Sequence, residues 1–189
     1  LRSLLDWHVS EGTDGIVIVG TSGESPTVSV DEHCELIRVT VEHVAGRIPV
    51  IAGTGGNSTL EAIELTQFAQ KVGADASLQV VPYYNKPTQE GLIAHYQFLA
   101  DRSLLPIILY HVPGRTNVSF HISTLQTLFK HPNIIGIKEA SGQHGFWMDM
   151  SQSLDWNSKS ILAGDDDAFA LIQQLGGKGI ISATANVDP

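Results

Sequence analysis

A single unit recurs along this chain and limits its fold more than any other feature. It is a short β-branched run, a loop marked by Gly or Pro, then a longer amphipathic stretch. Seven runs fit: GIVIVG (15–20), IPVIAG (48–53), ASLQVV (76–81), PIILY (106–110), IIGIK (134–138), SILAG (160–164) and GIISA (179–183). Runs this short and apolar read as strands covered on both faces. Strands alternating with helices imply parallel pairing through right-handed crossovers. An open doubly wound sheet and a closed (β/α) barrel both accept the pattern; even spacing without a long crossover favours the barrel. The expected fold is therefore α/β, a (β/α)8 barrel. No Pro/Ser linker or low-complexity stretch interrupts residues 1–189, so one domain is expected. A barrel of this kind has eight strands, and seven are counted. Leu1-Arg2-Ser3-Leu4-Leu5 is already patterned like a helix, and Val187-Asp188-Pro189 follows directly on a strand and loop. One strand, and anything beyond the last loop, are expected to lie outside these residues, leaving a raw sheet edge.

Composition narrows the function. An apolar content of 42% against 16% charged residues is that of a globular protein with a sizeable core. A net charge of −9 argues against nucleic acid or an anionic membrane as partner, since both need clustered Lys and Arg. No apolar run approaches membrane-spanning length, and the first residues do not read as a signal peptide. Cys34 is the only cysteine, so no internal disulfide forms, and a cytoplasmic setting fits. It shares a helical line with Val30, Ile37, Val41 and Val44 and is expected in the core. Ser29 with Glu32, and Ser58 with Glu61, read as capping boxes.

The fifth run ends on a lysine: Asn133-Ile134-Ile135-Gly136-Ile137-Lys138-Glu139. The middle of a covered strand has no room for an ammonium, but its end can present an amine to a cleft. Desolvation there favours the neutral amine, which attacks carbonyls to form Schiff bases. Taken alone, Lys138 is better explained by a side chain snorkelling out of the strand end. The other strand ends reverse that order. They carry Gly20-Thr21-Ser22, Pro82-Tyr83-Tyr84, Tyr110-His111-Val112-Pro113-Gly114-Arg115, Gly164-Asp165-Asp166 and Ser182. Amine, phenols, hydroxyls and guanidinium on one rim suit carbonyl chemistry on a carboxylate substrate, with Arg115 as a fork for a second carboxylate. Singly, the tyrosines can be rim packing, and Thr21 and Ser22 can satisfy turn backbone. A coincidence of all of them at matching positions in consecutive repeats is harder to explain.

Other motifs are weaker. Gly53-Thr54-Gly55-Gly56-Asn57-Ser58 precedes a helix and can cradle phosphate, but it is neither GxxxxGK[ST] nor GxGxxG. Asp165, Asp166 and Asp167 read as helix capping rather than a cation site. The eight histidines show no HxxxH or HxH spacing, so no metal is expected. There is no GxSxG elbow of a serine hydrolase.

GTSGESPT, PYYNKPTQEGL, YHVPGRT, IIGIKEASG and GDDDAF…LGGKGIIS occur in order and at suitable spacing. Together they resemble the dihydrodipicolinate synthase family of pyruvate-dependent class I aldolases, over nearly the whole chain. The resemblance implies a (β/α)8 (TIM) barrel whose first strand precedes Leu1 and whose helical extension follows Pro189. It implies that Lys138 captures pyruvate as a Schiff base and that Tyr110, Thr21 and Tyr84 relay protons, Tyr84 in a neighbouring subunit's site. It further implies that Ser22 and the Ile181 backbone contact pyruvate and that Arg115 meets the aldehyde's carboxylate. The implied reaction joins pyruvate to L-aspartate 4-semialdehyde, with no cofactor, in a cytoplasmic homotetramer built as a dimer of dimers. Some members bind inhibitory L-lysine at a dimer interface, at positions matching Ser25, His33, Asn57, Glu61 and Tyr83. Departures are Ser22 for the usual threonine, Val30 for an imidazole or indole, His111 for asparagine, and an unlike segment His144–Met150. A sugar-acid lyase of the same superfamily would share Lys138 and Tyr110, but Arg115 within VPGRT and the Tyr83-Tyr84 pair favour the synthase. Outside the superfamily stand a non-catalytic fragment and a phosphate-binding domain.

Overall fold

The computed structural model describes residues 1–189. Seven strands form one parallel sheet in sequence order: β1 (Ile16–Ile18), β2 (Val50–Gly53), β3 (Ala76–Val80), β4 (Ile107–His111), β5 (Ile134–Glu139), β6 (Ser160–Ala163) and β7 (Gly179–Ile180). Each expected run is a strand, and each pairs with its sequence neighbour; β1 and β7 do not pair with each other. Helix α1 (Arg2–Glu11) precedes β1, and helices α2 (Val30–Val44), α3 (Thr59–Val72), α4 (Gln89–Arg102), α5 (Pro113–Thr116), α6 (Ile122–Leu128), α7 (His144–Ser153) and α8 (Phe169–Gln174) fill the crossovers.

The period-two alternation of strands sorts side chains into two layers. Outward residues Ile107, Leu109, Ile134, Ile137 and Ile161 pack against Leu92, Tyr96 and Leu99 of α4, Leu125 of α6 and Trp147 of α7. Inward residues from every part of the sheet meet in a second cluster, from Val17 and Ile51 through Leu78 and Tyr110 to Leu162 and Ile181. That convergence means the sheet is curled, with its inner face filled like a barrel core.

The Ser29 capping box forms: its side chain accepts from Glu32 N–H, and Glu32 reaches back to Ser29 N–H at 2.9 Å. Ser58 accepts from Glu61 N–H, but Glu61 does not return the bond, so that box is half made. The expected stripe through Cys34 is rotated by one residue. His33, Ile37, Thr40 and Val44 are the buried line of α2, Cys34 is half-buried and Val30 exposed. His33 wins the inner position because its Nε2 meets the Gly53 carbonyl at 2.7 Å. Asp165 to Asp167 do not cap a helix through their side chains. Asp166 instead accepts from the Ser182 and Thr184 hydroxyls, tying the loop after β6 to the loop after β7.

Candidate active site

At the carboxyl ends of the strands the curled sheet opens into a cavity of about 350 Å³, lined by Val19, Thr21, Tyr83, Tyr110 and Arg115 among others. Its chemistry begins with strand register. Tyr110 of β4 lies opposite Lys138 of β5, both on the inner face, and the Lys138 Nζ stands 4.5 Å from the centroid of the Tyr110 ring. Burial disfavours charge on both groups. It lowers the Lys138 pKa, against the pull of Asp165; Arg115 lowers it further and Asp166 opposes. Burial raises the Tyr110 pKa, while Thr21, as hydrogen-bond partner, and Arg115 work against the rise. The amine is thereby pushed toward its neutral form and the phenol keeps its proton.

Glycines make this geometry possible. A Cβ at Gly164 would stand 3.0 Å from Lys138 Cε and 2.7 Å from Ala140 Cβ, so the lysine passes where a side chain would be. A Cβ at Gly53 would stand 2.3 Å from the Val19 carbonyl oxygen, and one at Gly55 2.2 Å from Val80 N. The Gly53–Ser58 stretch therefore serves close backbone packing beneath the cavity. Val19 itself has φ +55°, a left-handed conformation costly for a β-branched residue, and it turns the chain into Gly20 and Thr21.

The remaining expected residues divide. Arg115 is exposed but lines the cavity, and Thr21 is half-buried there. Ile181 packs in the inner cluster; its N–H donates to the Ala163 carbonyl at 2.9 Å. Ser22 is exposed and is not part of the cavity wall. Tyr84 points away, 90% exposed with φ +70°, so within one chain it joins no relay. Of the two adjacent phenols, Tyr83 forms the wall.

Ser25, His33, Glu61 and Tyr83, with Val30, line a second pocket of about 80 Å³. Burial lowers the His33 pKa; the Gly53 carbonyl and Glu61 oppose. Asn57 is not in this wall; its carbonyl accepts from Asn85 Nδ2 at 3.2 Å. Ser25, Pro26, Gly55 and Tyr83 belong to both pockets. Sequence reasoning missed Gly164 and the partner of His111. Both depend on contacts between strands that only the register reveals.

A curled parallel sheet with a desolvated lysine on its carboxyl rim defines a protein of the (β/α)-barrel class, with its candidate site where that class keeps its chemistry. The sequence model of the Dihydrodipicolinate synthetase family matches residues 1–189, and the chain belongs to that family. A 4-hydroxy-tetrahydrodipicolinate synthase of Polynucleobacter asymbioticus is 64% identical over 100% of this chain and 62% of its own length. The chloride-inhibited dihydrodipicolinate synthase of Acinetobacter baumannii, solved with pyruvate, superposes with TM-score 0.96 at 47% identity, over 100% of this chain and 64% of that one. A Cyanidioschyzon merolae homologue solved with lysine bound gives TM-score 0.92 at 40% identity, over 98% of this chain and 63% of that one. The chain thus spans somewhat less than two thirds of the relatives it matches.

Proposed function

We propose that the protein carrying this chain is a 4-hydroxy-tetrahydrodipicolinate synthase, and that residues 1–189 form one partial-barrel unit holding its reactive groups. The observation that carries this reading is the desolvated Lys138 amine 4.5 Å from the Tyr110 ring. Neutral Lys138 attacks the keto carbon of pyruvate, and loss of water leaves an imine. Loss of a methyl proton gives the enamine, whose carbon adds to the aldehyde of L-aspartate 4-semialdehyde. The amine of the semialdehyde then attacks the imine carbon, closes the ring and releases Lys138. Tyr110 and Thr21 carry the protons, and Tyr84 joins them from a second copy of the chain. The Ser22 hydroxyl donates to the pyruvate carboxylate, the Ile181 backbone contacts pyruvate, and Arg115 takes the carboxylate of the semialdehyde. The assembly is a cytoplasmic dimer of dimers.

The test is imine trapping. Pyruvate with borohydride should add a pyruvate-derived mass to Lys138 on the peptide map, and Lys138→Arg should remove it. A folded sample without that adduct overturns the reading. Faster turnover of sugar aldehydes than of aspartate semialdehyde would move it to a sugar-acid lyase.

The smaller pocket is read as an L-lysine site. Glu61 offers a carboxylate to an ammonium, and Ser25, His33 and Tyr83 supply polar contacts; the relative solved with lysine supports this. At about 80 Å³ it is too small for a whole lysine, which fits a wall completed by a second copy. Lysine should raise the melting temperature of the wild type and not that of Glu61→Gln. Equal shifts would refute the assignment.

A further inference from the structure

We propose that His111 and Glu139 are a positioning couple that fixes Tyr110 and Lys138 face to face from the opposite side of the sheet. The proposal deepens the Schiff-base reading and rests on it. Each member of the couple follows a member of the reacting pair: Tyr110 is opposite Lys138, and His111 opposite Glu139. Alternation sends the first pair into the barrel and the second toward the helices.

Both outer side chains are fully buried, with His111 Nδ1 2.6 Å from Glu139 Oε2. Phe120 N–H donates to His111 Nε2 at 3.3 Å. That nitrogen is therefore the acceptor, the ring proton sits on Nδ1, and the charge of the couple is on Glu139. Its other oxygen accepts from Ser141 N–H at 2.7 Å and from the Trp147 indole N–H at 3.1 Å. One carboxylate thus joins β4, the loop after β5 and helix α7. The Phe120 and Phe146 rings, 5.5 Å and 4.9 Å from the imidazole, close it off.

A buried ion gains little net stability over an apolar pair of the same size, but it tolerates only one arrangement. That matters here because the β4–β5 pairing shifts register between Ile107 and Ile108. Above the shift nothing in the backbone ladder forbids a slip, and a slip of one residue would turn Lys138 to the helices and Glu139 into the cavity. His111, the one donor to Glu139 from β4, meets it in the observed register and not in a slipped one.

The experiment follows Lys138 in full-length protein. Its titration is read by NMR after reductive ¹³C-methylation, and pyruvate trapping is timed against pH on unmodified samples. The charges facing Lys138 are Asp165, Asp166 and Arg115, and all stay in place in the variants. His111→Leu removes one donor to the carboxylate; the Lys138 midpoint should rise toward 10.5, and trapping near pH 7 should fall about tenfold for each pH unit of that rise. His111→Asn keeps an amide N–H in the place of Nδ1, the donor to Glu139, and should keep the wild-type profile. If His111→Leu does not fold, Trp147→Phe, which removes only the indole donor, should give a smaller rise of the same sign. Variants that melt lower yet keep the wild-type midpoint and profile reduce the couple to core structure and overturn the proposal. Wild type that forms no adduct sinks the Schiff-base reading instead; the titration needs no pyruvate and still decides the couple.

Discussion

Gly164→Ala adds one methyl group where the end of β6 faces β5, and the geometry sets its cost. The new carbon would lie 2.7 Å from Ala140 Cβ, 3.0 Å from Lys138 Cε and 3.1 Å from the Glu139 carbonyl oxygen. Carbon atoms in good contact sit about 3.5–4.0 Å apart, so the first two contacts are short by roughly 0.5–1 Å. Ala140 Cβ and the Glu139 carbonyl are fixed by the backbone, and Gly164 N–H donates to that same carbonyl at 2.8 Å. Lys138 Cε is the only yielding neighbour. Overpacking of this kind costs about 1–3 kcal/mol, and a displacement of about 1 Å at a reacting group costs about 10²-fold in rate. Gly164→Ala should therefore melt a few degrees lower and trap pyruvate about a hundredfold more slowly. Gly177→Ala is the control. Its Cβ would press to 2.8 Å on the Ile172 carbonyl oxygen, remote from the cavity, so it should lose stability and keep the trapping rate. Equal trapping by wild type and Gly164→Ala, with the expected loss of stability, would show that the gap at residue 164 does not position the amine.

Two more predictions concern pH. The Lys138 pKa is lowered in the fold, so between that value and 10.5 the unfolded chain holds more protons, and stability rises with pH through the window. Below it the full cost of the buried ammonium is present, so Lys138→Met should melt above wild type at pH 7 and lack the alkaline rise; an unchanged melt would contradict the desolvation. Burial pushes His95 down to about 4, its Nδ1 meeting the Thr59 hydroxyl at 2.8 Å and its Nε2 unpartnered. Stability present above pH 6.5 should be lost as pH falls through about 4, by about 3 kcal/mol, and denaturant titrations of His95→Gln should show a flatter acid limb.

The strands were legible because β-branched runs between Gly and Pro marks carry their own period, but their ends were not. GIVIVG stops at Ile18 because Val19 turns left-handed against Gly53. GIISA shortens to Gly179–Ile180, since β7 has a partner on one side only. Lys138 and Tyr110 could be read as rim groups from their place at strand ends. Which of Tyr83 and Tyr84 faces inward could not, because a loop has no period to sort neighbours. His111 was visible only as a polar ring in a motif. Its partner lies on the next strand, and without the β4–β5 register Glu139 reads as an ordinary charge at a strand end.

The fold also supplies an internal comparison for its reactive amine. Lys159 lies just before β6, at the opposite end of the same strand pair, and burial lowers its pKa too. Its Nζ donates to the Ile134 carbonyl at 2.6 Å and lies 3.5 Å from the His131 carbonyl. Those two carbonyls accept from the group as an ammonium. Lys138 has the face of Tyr110 in place of a carbonyl, and Tyr110 is part of the cavity wall. Burial alone thus does not make a nucleophile. The difference is the end of the barrel: where strands begin, incoming backbone presents acceptors that hold an ammonium, and where they finish, the chain turns outward and leaves the amine beside a phenol of the cavity wall.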